Sequence, residues 1–236
     1  MKATQKILAD TSSLIEAAAE QFVSTARSAI AKRGVFHVAL AGGSTPKGLY
    51  QKLATSPYVE QIDWARVHLF FGDERCVLPS HDESNFKMAR EAMIDHVPIP
   101  PVNVHRMPTE EGVAPEVAIR YCRVMKEVLQ EQPLDLVLLG LGPDGHIASL
   151  FPDTAALEAT TKTTSLYVDK FKSWRVTMTY PTINAARQVI VFIAGEAKAE
   201  IVHDITTDAV DNLPVQRLAP QGEYYWYMDK AAAGQQ

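Results

Sequence analysis

The chain has 236 residues, 47% of them hydrophobic, which suits the core of a single α/β unit, and its formal net charge is −5. That balance excludes a broad nucleic-acid surface, which needs clustered Lys and Arg, and no run of eighteen apolar residues offers a membrane span. An anionic substrate would therefore need positive charge concentrated locally, against the global sign.

The opening Met1-Lys2-Ala3-Thr4-Gln5 lacks the apolar stretch of a secretory signal. A first helix is predicted over Thr11–Arg33, where Leu14, Ala18, Phe22 and Ala26 share a stripe, with Thr11 or Ser12 as cap and Gly34 as stop. Val35–Ala41 reads as a short apolar strand, Pro46–Ala54 as a helix and Val67–Phe71 as another strand. Ser84–His96 is helical, with Phe86, Ala89 and Met93 on one face; Pro98–Pro101 turns into a short strand near Val104. A longer helix, Val113–Gln130, is stopped by Pro133, and Leu134–Leu139 is apolar enough for a strand covered on both faces. Arg175–Thr179 and Gln188–Ala194 read as later strands, Glu196–Thr207 as a helix, Tyr224–Met228 as a final edge strand and Ala231–Gln236 as a frayed tail. The alternation predicts an α/β fold: an open, mostly parallel sheet with helices on both faces. Cys76 and Cys122 have no metal-ligand or redox spacing, so the expectation is free thiols in a reducing cytoplasm.

In such sheets ligands bind beyond the carboxyl ends of the strands. Four strands exit there into polar clusters: Gly42-Gly43-Ser44-Thr45-Pro46, Gly72-Asp73-Glu74-Arg75, the loop Gly140–Pro152, and Gly195-Glu196-Ala197-Lys198. In the first, Thr45 can cap and Pro46 suits the first helical position, and the free N–H groups of that helix start would attract a phosphate. The other reading of this segment is an ordinary strand-to-helix turn. Lys198 falls in the first turn of its helix, where the dipole disfavours a cation unless an anion lies nearby; a solvated surface lysine is the plainer alternative. Arg175 lies between Trp174 and Val176, suited to a core-edge ion pair or a bidentate phosphate grip. In Asp73-Glu74-Arg75, Asp73 can orient substrate hydroxyls and Arg75 can stabilise developing negative charge; an internal ion pair is the alternative.

His146 is the sharpest candidate, because an imidazole can take a proton from water near neutral pH. It follows Asp144 and Gly145 at the exit of a buried strand. His37, His68, His81, His96, His105 and His203 read as structural or solvated, and no second ligand stands at metal spacing from His146.

Together, Ala41–Pro46, Gly72-Asp73-Glu74-Arg75-Cys76-Val77, Ser84-Asn85 and Gly140–Pro152 closely resemble the 6-phosphogluconolactonase family, and the likeness extends to Leu213–Arg217. The resemblance implies a single Rossmann-like domain over residues 1–236, with no metal or organic cofactor, hydrolysing 6-phospho-D-glucono-1,5-lactone to 6-phosphogluconate in the pentose phosphate pathway. It implies His146, Arg75 and Asp73 as catalytic residues, and Gly43, Ser44, Thr45, Asn85, Asp144, Arg175 and Lys198 as substrate-binding ones. A cytoplasmic monomer acting on a phosphorylated sugar lactone, without nucleic-acid or membrane partners, is the expectation. Glucosamine-6-phosphate deaminase, of the same superfamily, is the nearest alternative. It resembles Met-Asp-Glu-Tyr where this chain has Gly72–Arg75, and carries a glutamate where this chain has Phe151 before Pro152. A non-catalytic sugar-phosphate binding module is the alternative from another class.

Overall fold

The mostly apolar runs become strands of a parallel sheet. The structure, a computed structural model, describes residues 3–207 and 209–235. The first residues of the amino-terminal segment read above, and the last residue of the predicted frayed tail, lie outside the described residues. In chain order the elements are β1 (Thr4–Leu8), α1 (Thr11–Arg33), β2 (Phe36–Leu40), α2 (Ser44–Leu53), β3 (Val67–Phe71), β4 (Asp73–Arg75), α3 (Asn85–Ala92), α4 (Ala114–Leu129), β5 (Leu136–Gly140), β6 (Thr163–Val168), β7 (Ser173–Met178), α5 (Tyr180–Asn184), β8 (Gln188–Ile193), α6 (Ala199–Thr206) and β9 (Glu223–Asp229). Six strands form one sheet in the order β1-β9-β8-β5-β2-β3, and every neighbouring pair is parallel.

Both faces are covered, because successive side chains of a strand point to opposite sides. Ala39, Val137, Leu139, Val189 and Val191 join the core under α4, whose Val117, Tyr121 and Met125 are buried there. Val38, Leu40, Leu136, Leu138 and Ile190 join the core under α1 and α2, with Phe22, Leu49 and Tyr50. Each fully buried aliphatic or aromatic side chain contributes about 1.5–3 kcal/mol relative to exposure.

Several predicted elements shift. Tyr224–Met228 is not an edge strand: β9 lies between β8 and β1, and β1 (TQKIL, largely exposed) is too polar to announce itself as a strand. The α1 cap is Asp10, whose carboxylate accepts from Ser13 N at 2.7 Å, rather than Thr11 or Ser12. At α2 the N-cap is Gly43 and Ser44 is the first helical residue, so Thr45 does not cap and Pro46 is not at the first position. Ser84–His96 divides into α3 and a 3-10 turn at Ile94–His96, and Glu196–Thr207 into a 3-10 turn at Glu196–Lys198 and α6. Near Val104 there is a single bridge to Leu69. The tail is folded where described: Ala232 is buried and its N–H donates to Asp229 at 2.8 Å.

A second sheet was not foreseen. Asp73–Arg75, in the polar cluster after β3, is itself a strand, β4, and it pairs antiparallel with β7, which pairs antiparallel with β6. Of the residues read as the strand Arg175–Thr179, Arg175–Met178 belong to this small sheet, and Thr179 is the N-cap residue of α5 instead. It is joined to the large one at Gly72, whose N–H donates to Leu40 O (2.8 Å) and whose carbonyl accepts from Met178 N (2.7 Å).

Candidate active site

The sheet opens where its winding reverses. From β2 the chain moves outward to β3, and from β5 it moves the other way to β8. Between β2 and β5 the register holds only Val38–Leu136 and Ala39–Val137. Towards their carboxyl ends β2 keeps pairing with β3 as far as Leu40–Phe71, and β5 with β8 as far as Gly140–Phe192. The two central strands therefore part, and a cavity of about 280 Å³ lies in the gap. Such a switch point is where open α/β sheets bind ligands. Gly43, Asp73, Arg75, Gly142, His146 and Lys198 are among the residues lining it, so the four polar clusters do converge.

His146 is held on two sides. Its Nδ1 faces the Asp144 carboxylate at hydrogen-bond distance, and its ring stacks on Phe151, with centroids 4.2 Å apart. A Cβ at Gly142 would collide with the imidazole, so that glycine makes room for the ring. Engaging Nδ1 sets the tautomer and leaves Nε2 as the exchangeable nitrogen. Burial works to raise the Asp144 carboxyl, but the hydrogen bond and charge of His146 outweigh it and hold it below the usual carboxylate range.

Cations gather here without ion-pair partners among the described residues. Arg75 and Arg175 stand directly opposite each other on β4 and β7, an arrangement that like charges make unfavourable. The Nε of each is buried without a hydrogen-bond partner. Arg75 Nη1 donates only to Glu83 O, at 2.6 Å. Lys198 Nζ donates to Leu141 O at 2.6 Å, and burial lowers its pKa although Asp144 pulls the other way. Burial, then the Arg75 charge, lowers Arg175 likewise. Among the described residues none of the three forms an ion pair, which sets aside the internal ion pair as the reading of Asp73-Glu74-Arg75. Glu74 instead caps α3: its carboxylate accepts from the backbone N–H of Arg75, Asn85 and Phe86 and from the Ser84 hydroxyl.

The remaining predicted residues divide. Ser44 and Thr45 sit in the first turn of α2, behind Gly43 rather than in the cavity wall. Arg175 is 6% exposed and lies behind Phe171, its guanidinium carbon 5.4 Å from that ring. Asn85 is a buried spacer: its Nδ2 donates to Asp73 O (2.9 Å) and Oδ1 (3.1 Å), and a Cβ at Gly42 would strike its side-chain amide. Asp73, 7% exposed, accepts from Ser149 Oγ at 2.6 Å as well; it does not touch Arg75. Ser149, Phe171 and Lys170, whose Nζ lies 3.9 Å from Asp144, were not singled out in the sequence. Ser149 had a weak signal, a hydroxyl among small and apolar residues three positions after His146. Among the described residues no group of three His, Cys, Asp or Glu side chains is placed to hold a metal ion, no helix is long and apolar enough to cross a membrane, and both cysteines are free.

Known proteins are similar to this chain in sequence and fold. A 6-phosphogluconolactonase from Nostoc sp. is 38% identical over 242 residues, covering 100% of this chain and 99% of its own. The 6-phosphogluconolactonase structure from Trypanosoma cruzi superimposes with a TM-score of 0.87 at 29% identity, covering 99% of this chain and 96% of that one. A monomeric glucosamine-6-phosphate deaminase shares the fold, at a TM-score of 0.83 over 100% of each chain but 19% identity. Residues 9–226 match the family model described as glucosamine-6-phosphate isomerases/6-phosphogluconolactonase, and the chain belongs to that family.

Proposed function

We propose that the chain hydrolyses 6-phospho-D-glucono-1,5-lactone to 6-phospho-D-gluconate, the lactonase step of the pentose phosphate pathway, with His146 as general base. The observation that carries the base assignment is the Asp144–His146 pair at the wall of the switch-point cavity. His146 Nε2 takes a proton from water as the water oxygen attacks C1. The carbonyl oxygen becomes an oxyanion, and Arg75, a cavity-lining cation without a carboxylate partner, stabilises that charge. Collapse breaks the bond from C1 to the ring oxygen, which leaves with the proton that His146 holds. Asp144 keeps the imidazole in the tautomer that begins the cycle.

The phosphate is assigned to the start of α2, at Gly43, Ser44 and Thr45, with Lys198 and Arg175 completing the charge. Support comes from the open helix start, which no side chain caps, and from cations that form no ion pair among the described residues. Asp73 and Asn85 act on the substrate site from behind. The lactonase reading is preferred to deamination because Phe151, stacked on His146, stands where the deaminase pattern carries a glutamate. The protein is proposed to act as a single-domain monomer in the cytoplasm, which size-exclusion chromatography with light scattering checks. The functional test is a coupled assay on freshly prepared lactone. Turnover well above spontaneous hydrolysis, with no ammonia released from glucosamine 6-phosphate, is expected; ammonia release, or no acceleration, refutes the reading.

A further inference from the structure

The loop that carries His146 is tied to the small sheet by Ser149. Ser149 is 1% exposed. Its hydroxyl donates to Asp73 Oδ2 at 2.6 Å, and its backbone N–H donates to Thr177 Oγ1 at 3.2 Å. Asp73 and Thr177 are partners on one rung of the β4–β7 ladder. Arg75 lies two residues along β4, and its Cα partner there is Arg175. The other Asp73 oxygen is held by Asn85, which abuts Gly42 in the loop after β2. One buried carboxylate thus joins the loop of His146, the strand of Arg75 and the loop leading into α2.

Between His146 and Ser149 the backbone is constrained. Ala148 has φ +48°, in the left-handed region, which costs a non-glycine residue on the order of 1 kcal/mol and persists only where its surroundings impose it. Ile147 and Leu150 bridge across the turn, so Ser149 lies within the closure that sets the direction of the loop.

We infer that Ser149 is a positioning residue: through Asp73 it fixes the separation of His146 from Arg75, and so of the base from the cation that meets the oxyanion. This also changes the role of Asp73, whose two carboxylate oxygens are engaged by Ser149 and Asn85, from catalytic group to strut. The inference rests on the lactonase reading. A displacement of about 1 Å at reacting groups can cost around a hundredfold in rate.

The test is a double-mutant cycle on lactone hydrolysis, with folding checked by circular dichroism. In the otherwise native protein, Ser149→Ala is expected to lower kcat roughly tenfold to a hundredfold with KM within about twofold. In an Arg75→Lys background, where the cation is already displaced, the same change is expected to cost under about threefold. Should Ser149→Ala not fold, Ser149→Cys, a weaker donor, replaces it in the same cycle. An unchanged kcat, a loss confined to KM, or the same fold-loss in both backgrounds overturns the inference. A native protein without lactone hydrolysis overturns the underlying reading instead, so the two failures are distinct.

Discussion

At the amino-terminal edge of the large sheet, Asp135 is 2% exposed and lies between Arg33 (2.6 Å) and Arg187 (3.3 Å), and it accepts the His37 N–H at 2.9 Å. At the carboxyl edge, Arg75, Arg175 and Lys198 face no carboxylate partner among the described residues. The amino edge also has a cavity, of about 520 Å³ against about 280 Å³ at the carboxyl edge, lined in part by Arg33, His37, His68 and Asp135. His68 of that wall hydrogen-bonds to His105 at 3.0 Å, their near-parallel rings 5.2 Å apart by centroid. The larger cavity is the one whose charges are already satisfied. The proposed site is thus distinguished not by volume but by unbalanced charge, an oriented imidazole and a constrained backbone.

The contrast breaks first at Arg75. Arg75→Ala is expected to lower kcat by roughly 10²–10³, the loss associated with one oxyanion donor, while thermal stability stays within a few degrees; steady-state kinetics and a melting curve check both. At the opposite edge, Asp135→Ala leaves two guanidinium groups without their buried counter-ion, so a stability loss of about 3 kcal/mol is expected. Urea unfolding measures it, and kcat per folded molecule should not change. Lys198→Ala is expected to raise KM about tenfold to a hundredfold, by loss of a charge-assisted contact to phosphate, with a smaller effect on kcat. An unchanged KM removes Lys198 from the phosphate site.

A separate effect is on pH dependence. Burial lowers His37 to about 4 against the opposing pull of Asp135, burial lowers His105 to about 4, and the ordinary value is about 6.5. The unfolded chain therefore binds protons that the folded protein refuses. The stabilisation from these neutral histidines is complete above about pH 6.5, falls as pH drops towards about 4, and levels off below that. Urea midpoints across this range should decline, and less steeply in His37→Gln. An equal slope in the two proteins contradicts the assignment.

What could be read from the sequence follows from how each element is stabilised. The strands β2, β3, β5 and β8 are mostly apolar, broken only by His37, His68 and the first residue Gln188, so their ends, and the polar residues beyond them, were locatable. The site clusters at Gly43, Arg75, His146 and Lys198 came with them. The small sheet was not legible, because β4 is three charged residues and its partner β7 lies about a hundred residues away. No local periodicity records that pairing. The same gap hid the burial of Arg175 and the tie from Ser149 to Asp73, since both depend on the β4–β7 rung. Edge assignment failed for β9 because the strand that covers it, β1, is held by parallel pairing to β9 and carries little apolar signal of its own.

Proton transfer is assigned to the carboxyl edge, at His146, and not to the histidines of the amino edge. It is tested most directly by kcat for His146→Ala on freshly prepared 6-phosphogluconolactone, corrected for spontaneous hydrolysis, with His37→Ala alongside. A loss of roughly 10²–10⁴ is expected for His146→Ala, and a value within about twofold of native per folded molecule for His37→Ala. Near-native turnover by His146→Ala contradicts it.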